Sequence, residues 1–235
     1  MATKAVLFDL DGTLLPMDQD KYIKAYFGGM VKKLAPHGYD PNALTGAIWK
    51  GTEAMVKNDG GATNEERFWT TYCSILGENA RQSEEILEDF YNNEYQSVKS
   101  VCGFAPESAE IIGALKKRGI RTILATNPVF PKIATDSRIR WAGLLPEDFE
   151  LVTAFENSCY TKPNPKYFED ILRQCGLCPE ECVMVGNDVT DDMVAEKLGM
   201  KVFLLTDCLI NTQNADISAY PQGGFDDLKD FLNNL

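Results

Sequence analysis

Histidine is almost missing from this 235-residue chain, His37 being the only one. The seven cysteines are odd in number and scattered from Cys73 to Cys208, so they lay out no disulfide framework and suit a reducing compartment. Cys175, Cys178 and Cys182 contain a CxxC spacing, but no second pair exists and His37 is far away in sequence, which argues against a zinc site. No apolar run reaches the ~18 residues of a membrane span, and Met1-Ala2-Thr3-Lys4 passes into Ala5–Phe8 without the basic and long apolar regions of a signal peptide. The reading is a cytoplasmic protein without a membrane partner. Positive charge is also scarce: 23 Lys and Arg stand against 35 Asp and Glu, a formal net charge of -12. That field repels nucleic acid at long range. It also opposes phosphorylated substrates, so an enzyme acting on them needs a local cation or a metal ion.

What is present fits an ordinary folded protein, with 44% hydrophobic, 10% aromatic and 25% charged residues. Short apolar runs rich in strand formers recur at Ala5 to Leu10, Thr122 to Ala125, Cys182 to Val185 and Val202 to Leu205. Amphipathic segments alternate with them. Glu107 to Arg118 gathers Ile111, Ile112 and Leu115 on one face and stops at Gly119; Pro165 to Cys175 gathers Phe168, Ile171 and Leu172 and stops at Gly176; Asp191 to Leu198 stops at Gly199. This alternation predicts an α/β protein with a doubly wound parallel sheet, whose sites form at the carboxyl ends of strands. Between the first strand and Val101 no strand pattern occurs, and Ile86, Leu87, Phe90 and Tyr91 share a helical face within Gln82 to Tyr95. The expected organisation is therefore a core of residues 1–15 and 100–235, with an all-helical cap inserted at 16–99.

Four segments at or just beyond predicted strand ends carry the chemistry. Asp9-Leu10-Asp11-Gly12-Thr13 sets two carboxylates two residues apart on one side of an extended chain. One can attack phosphorus while the other handles protons, and Gly12 permits the tight turn. The other three are Thr122 to Asn127, Thr161-Lys162-Pro163-Asn164-Pro165, and Val185-Gly186-Asn187-Asp188-Val189-Thr190-Asp191-Asp192. Alone, an Asp-Gly or Thr-Asn at a strand end usually marks a turn or a cap.

Together the four resemble the motifs of the haloacid dehalogenase superfamily, in an order that spans essentially the whole chain. The resemblance implies a three-layer α/β core with a smaller all-helical cap inserted after the first strand, and a phosphohydrolase using Mg²⁺. It casts Asp9 as nucleophile, Asp11 as general acid and base, Thr126 as the hydroxyl that holds the phosphoryl group, and Lys162 as the neutralising cation. Lys166 is the alternative lysine, but it falls within a predicted helix. Leu10, Gly12, Thr13 and Asn127 are the implied substrate contacts, with a backbone amide at Asn127 as a donor. The implied metal ligands are Asp9, Asp11 and the fourth motif, where Asn187 occupies the usual first acidic position and Asp188 follows it. Either offers a hard oxygen. Asp191, four residues after Asn187, is the supporting acid, and Asp192 reads as a cap of the following helix.

A small phosphorylated metabolite is the implied substrate. Trp49, Lys50, Lys57, Arg67 and Trp69 are candidate pocket residues in the cap, although tryptophans in small helical domains are usually core. A phosphomutase shares these motifs. A dehalogenase does not need Asp11, and a binding protein on a degenerate form of the fold has only Asn187 in its favour.

Overall fold

The strand-forming runs pair into one parallel sheet in the computed structural model, which describes residues 2–235. Its strands are β1 (Ala5–Phe8), β2 (Arg121–Leu124), β3 (Cys182–Gly186), β4 (Lys201–Leu205) and the short β5 (Gln222–Gly223), in the order β2-β1-β3-β4-β5. Side chains alternate across it, as the period of a strand requires. Val6, Phe8, Leu124, Val185 and Phe203 join one apolar cluster, while Ala5, Leu7, Ile123, Met184 and Leu204 join a second. These clusters are the two interfaces of a three-layer α/β fold.

Helices cover both faces. α5 (Pro106–Lys117) and α8 (Phe225–Asn233) contribute Ile111, Ile112, Leu115, Leu228 and Leu232 to the first cluster. α7 (Pro165–Cys175) contributes Phe168, Ile171 and Leu172 to the second. The start of α7 follows its sequence signals: the Asn164 side chain accepts from the Lys166 N–H, and Pro165 takes the first turn where no N–H is needed. Asp191 to Leu198, expected as an α-helix, instead forms a 3₁₀ turn at Met193–Leu198.

Between β1 and β2 the chain is helical: α1 (Gln19–Leu34), α2 (Pro41–Val56), α3 (Asn64–Leu76), α4 (Ser83–Asn92) and a 3₁₀ stretch at Glu94–Val101. The segment leaves and returns side by side. Met17 and Cys102 form an antiparallel bridge, and Gly103 N–H donates to Pro16 O at 2.7 Å. Its core is continuous with the first sheet cluster through Tyr22, Tyr26, Tyr72, Phe90 and Tyr95. The buried hydroxyls find partners in each other, Tyr22 with Tyr95 and Tyr26 with Tyr91, both at 2.7 Å. A further helix, α6 (Lys132–Trp141), follows β2 and packs against α4.

The seven cysteines are free thiols. His37 is exposed.

Candidate active site

Register explains why the four segments meet. Phe8 lies abreast of Leu124 on one side and Val185 on the other, so β1, β2 and β3 end together. The chain therefore delivers Asp9, Thr126 and Asn187 to one rim. Asp9 N–H donates to Val185 O at 2.9 Å, and Ala125 N–H donates to Phe8 O at 2.7 Å, which extends the ladder up to the rim. Thr126 is fixed through its carbonyl, which accepts from Tyr167 OH (2.8 Å) and Thr153 Oγ1 (2.7 Å). A cavity of about 210 Å³ opens there, lined by Asp9, Asp11, Thr126, Asn127, Lys162 and the fourth-motif turn, with Met17, Gln19, Tyr22 and Ile23 from the helical segment opposite.

Leu10, Gly12 and Thr13 are not among the lining residues. Leu10 is fully buried in the core. Thr13 Oγ1 sits 2.9 Å from Asn187 Oδ1 and 3.2 Å from Asp9 Oδ2, so it braces the Asp9 carboxylate. Gly12 has φ +91°, and a Cβ there would fall 2.4 Å from Asn187 Nδ2. Only glycine fits both the left-handed turn and that contact.

Lys162 is almost wholly buried, with Nζ 2.9 Å from Asp9 Oδ1 and 2.6 Å from Asp192 Oδ1. Burial opposes its charge, but Asp192 and Asp9 outweigh burial and hold the ammonium well above the usual lysine range. Lys166 is exposed on α7, beside the Tyr160 ring. Asp192, read from sequence as a helix cap, is a buried counter-ion: its Oδ2 accepts from the Asp188 N–H at 3.0 Å while Oδ1 holds Lys162. Gly186 makes the room for it, because a Cβ there would lie 2.1 Å from Asp192 Oδ2.

Asp11 faces a cation that sequence reasoning missed. Arg138 of α6 is fully buried and donates from Nε to Asp11 Oδ1 at 2.9 Å and from Nη1 to Tyr22 OH (3.2 Å) and Tyr95 OH (3.1 Å). Its guanidinium also lies over the Phe130 ring, 4.4 Å from the centroid. Burial raises the Asp11 carboxyl above the ordinary aspartate value even though Arg138 pulls it down. A carboxyl shifted that way holds its proton to higher pH than a free aspartate does, the direction that general-acid chemistry requires. No local sequence signal marks Arg138, since its partner lies far along the chain.

In the fourth-motif turn, Asp188 Oδ1 accepts from the Thr190 and Asp191 N–H groups, and Asn127 Nδ2 donates to Asp191 Oδ2 at 3.1 Å. Burial, and then the Asp188 charge, push Asp191 up to about 6. Asn187 is buried, its Oδ1 toward Thr13 and its Nδ2 donating to Cys208 O at 2.7 Å. Among the described residues no three His, Cys, Asp or Glu side chains form a ready ligand cluster. The geometry gives a reason: Asp11 and Asp192 are turned to Arg138 and Lys162. The donor set nevertheless fits a hard divalent cation, because every candidate group presents oxygen and five aspartates here face only Lys162 and Arg138. The Asn127 Oδ1 on this wall is buried without a partner.

A second, larger cavity of about 710 Å³ adjoins this one and shares Ile23, Val129 and Phe130 with it. Trp49 and Trp69 line it. Lys50, Lys57 and Arg67 do not: Lys50 and Lys57 pair with Glu53, and Arg67 pairs with Asp59.

A family profile described as haloacid dehalogenase-like hydrolase matches residues 3–199. A phosphoglycolate phosphatase of Nitrosospira multiformis is 26% identical over 205 residues, covering 85% of this chain and 82% of that protein. A pyrophosphatase of Bacillus cereus is 24% identical over 204 residues, covering 86% of this chain and 82% of its own length. The solved structure of a haloacid dehalogenase from Pseudomonas syringae pv. Tomato superposes with a TM-score of 0.63 at 18% identity, covering 99% of each chain. That likeness speaks of the fold alone.

Proposed function

The chain belongs to the haloacid dehalogenase-like hydrolases, and from that premise we propose that it hydrolyses phosphate monoesters of small metabolites through an aspartyl-phosphate on Asp9. The observation that carries the reading is the pairing of Lys162 Nζ with Asp9 Oδ1 at 2.9 Å on the wall of a pocket that also holds Asp11. The named activities of the phosphatase relatives support it.

Asp9 attacks phosphorus in line, and the bond to the departing oxygen breaks as Asp11 gives that oxygen its proton. Lys162, already charged and buried, balances the negative charge of Asp9 and of the phosphoryl oxygens. The Thr126 hydroxyl and the Asn127 backbone N–H are the further donors for those oxygens. Asp11, now ionised beside Arg138, takes a proton from water. The resulting hydroxide attacks phosphorus and frees Asp9 and inorganic phosphate.

Asp9, the Asp11 carbonyl, Asn187 and Asp188 are the residues that would hold Mg²⁺, with Asp191 in support. When bound, the ion supplies charge neutralisation at the phosphoryl oxygens. The helical segment acts as a cap, since Met17, Gln19, Tyr22 and Ile23 face the nucleophile across the pocket.

The test is hydrolysis of p-nitrophenyl phosphate by one purified preparation, with Mg²⁺, with EDTA, and by Asp9→Asn. Metal-dependent turnover that disappears in the variant is the expected result. Halide release from a haloacid without phosphatase activity would overturn the proposal.

A further inference from the structure

The larger cavity restricts what the phosphate can be attached to. It adjoins the catalytic pocket, Ile23, Val129 and Phe130 lining both, and is walled by aromatic rings, among them Tyr26, Phe27, Trp49, Trp69 and Trp141. Phe27 and Trp49 stack with centroids 5.0 Å apart and planes 12° apart, and Trp49 stays 52% exposed. A stacked pair with one ring half exposed favours a flat ring as guest. A volume of about 710 Å³ is far larger than a one- or two-carbon acid needs.

Charge narrows the choice further. The ionisable lining residues are Glu65, Glu84, Glu88, Asp136 and Glu156 against Lys132 and Arg140, and Lys132 already pairs with Asp136 at 2.6 Å. Such a lining repels a second phosphate or a carboxylate. It also carries unused polar atoms. The indole N–H of Trp69, a residue only 6% exposed, has no acceptor, and Asp136 Oδ1 is buried with no donor. A buried polar atom without a partner calls for one, and a ligand with an acceptor on its ring supplies one to Trp69.

Resting on the phosphatase reading above, we infer that the substrate is a phosphate monoester whose organic half is a flat, uncharged aromatic group larger than one ring, bearing a hydrogen-bond acceptor. Trp49, Phe27 and Trp69 are then specificity-determining residues. The site discriminates against substrates with a second anionic group.

The experiment compares kcat/KM for naphthyl phosphate, phenyl phosphate, methylumbelliferyl phosphate and phosphoglycolate on wild type, Trp49→Ala and Trp69→Phe. Phenyl and naphthyl leaving groups are similar in acidity, so their ratio reports the second ring. The expected ratio is about tenfold in favour of naphthyl, with phosphoglycolate poorest of the four. Trp49→Ala, at a half-exposed position that does not endanger folding, should collapse the ratio toward one. Trp69→Phe should cost the coumarin ester, which carries a ring carbonyl, more than the naphthyl ester. Turnover of phosphoglycolate as efficient as that of the aromatic esters, or a naphthyl preference untouched by Trp49→Ala, would overturn the inference and leave the phosphatase reading standing. Turnover of none of the four with Mg²⁺ would sink the phosphatase reading, and the inference with it.

Discussion

Arg138 Nε sits 2.9 Å from Asp11 Oδ1 while Nη1 of the same guanidinium reaches Tyr22 and Tyr95, so the proposed proton donor and the helical segment share one buried cation. Three different elements meet at that group: α6, the loop after β1, and the helices between β1 and β2. A change at any of them is felt by the other two.

Replacing Arg138 tests this directly. Arg138→Met should destabilise the protein by roughly 3–5 kcal/mol, because Asp11 loses its charge partner in a buried setting. Arg138→Lys should rescue only part of the loss, since one nitrogen cannot stand both where Nε meets Asp11 and where Nη1 meets the two phenols. Thermal unfolding of the three proteins measures the order, and equal midpoints would refute it.

The role given to Asp11 is checked through the leaving group. Asp11→Asn should slow hydrolysis of an alkyl phosphate by on the order of a hundredfold or more, yet slow p-nitrophenyl phosphate much less, because nitrophenolate departs without a proton. An equal loss on both esters would assign Asp11 to something other than acid catalysis.

Asp9→Asn should remove at least about a thousandfold of kcat while the chain stays folded, as the amide oxygen still accepts from Lys162. Activity assayed alongside circular dichroism separates loss of the nucleophile from loss of structure.

Truncating Asp192 should damage both stability and rate. Asp192→Ala leaves the Lys162 charge with Asp9 alone and the Asp188 N–H without its acceptor, at a cost of about 3 kcal/mol. Gly186→Ala should mimic it, because the new methyl takes the space of the Asp192 carboxylate. Midpoints of denaturation for the two variants should fall together.

Glu156 gives a pH signature away from the catalytic groups. Its carboxylate accepts the Lys132 N–H at 2.8 and 3.0 Å, and burial pushes its pKa above the ordinary glutamate value. A carboxyl raised in the folded state binds its proton more tightly there than in the unfolded chain. Its contribution is therefore most favourable below about pH 4.3, the unfolded value, and is lost as pH rises through the folded one. Glu156→Gln keeps an acceptor oxygen and removes the titration. Its melting temperature relative to wild type should be higher at pH 8 than at pH 4.5, and a flat difference would refute the assignment.

The strands and the rim where the four segments meet were legible in the sequence because both depend on local signals. Ala5 to Phe8 is uniformly apolar, Asp-Gly ends it, and Pro165 and Gly176 bracket α7. The opposite roles of Asp191 and Asp192 were not legible, since neighbouring carboxylates differ only in where the turn after Gly186 points them. α6 was missed for a related reason. Arg138 occupies a fully buried position on it, and an arginine there reads as surface until Asp11, Tyr22 and Tyr95 are seen around it. β5 is two residues long and leaves no periodicity to detect. Of the helical-segment residues singled out, Trp49 and Trp69 reached the cavity that adjoins the site and the cations did not, because each lysine and arginine had an acid within reach of its own helix or loop.

The position of β1 has a bearing on how the protein is made. Ala5 pairs with Arg121 on one side and Cys182 on the other, so the strand that leads into Asp9 is synthesised well before either of its two neighbours. Until residues beyond Gly186 have emerged, that apolar segment has an open edge and no Lys162–Asp192 pair to meet. A nascent chain halted before β3 would carry Asp9 but not the turn from Asn187 to Asp192 that lines the same pocket. Assembly of the rim therefore waits on β3 and the Asn187–Asp192 turn that follows it.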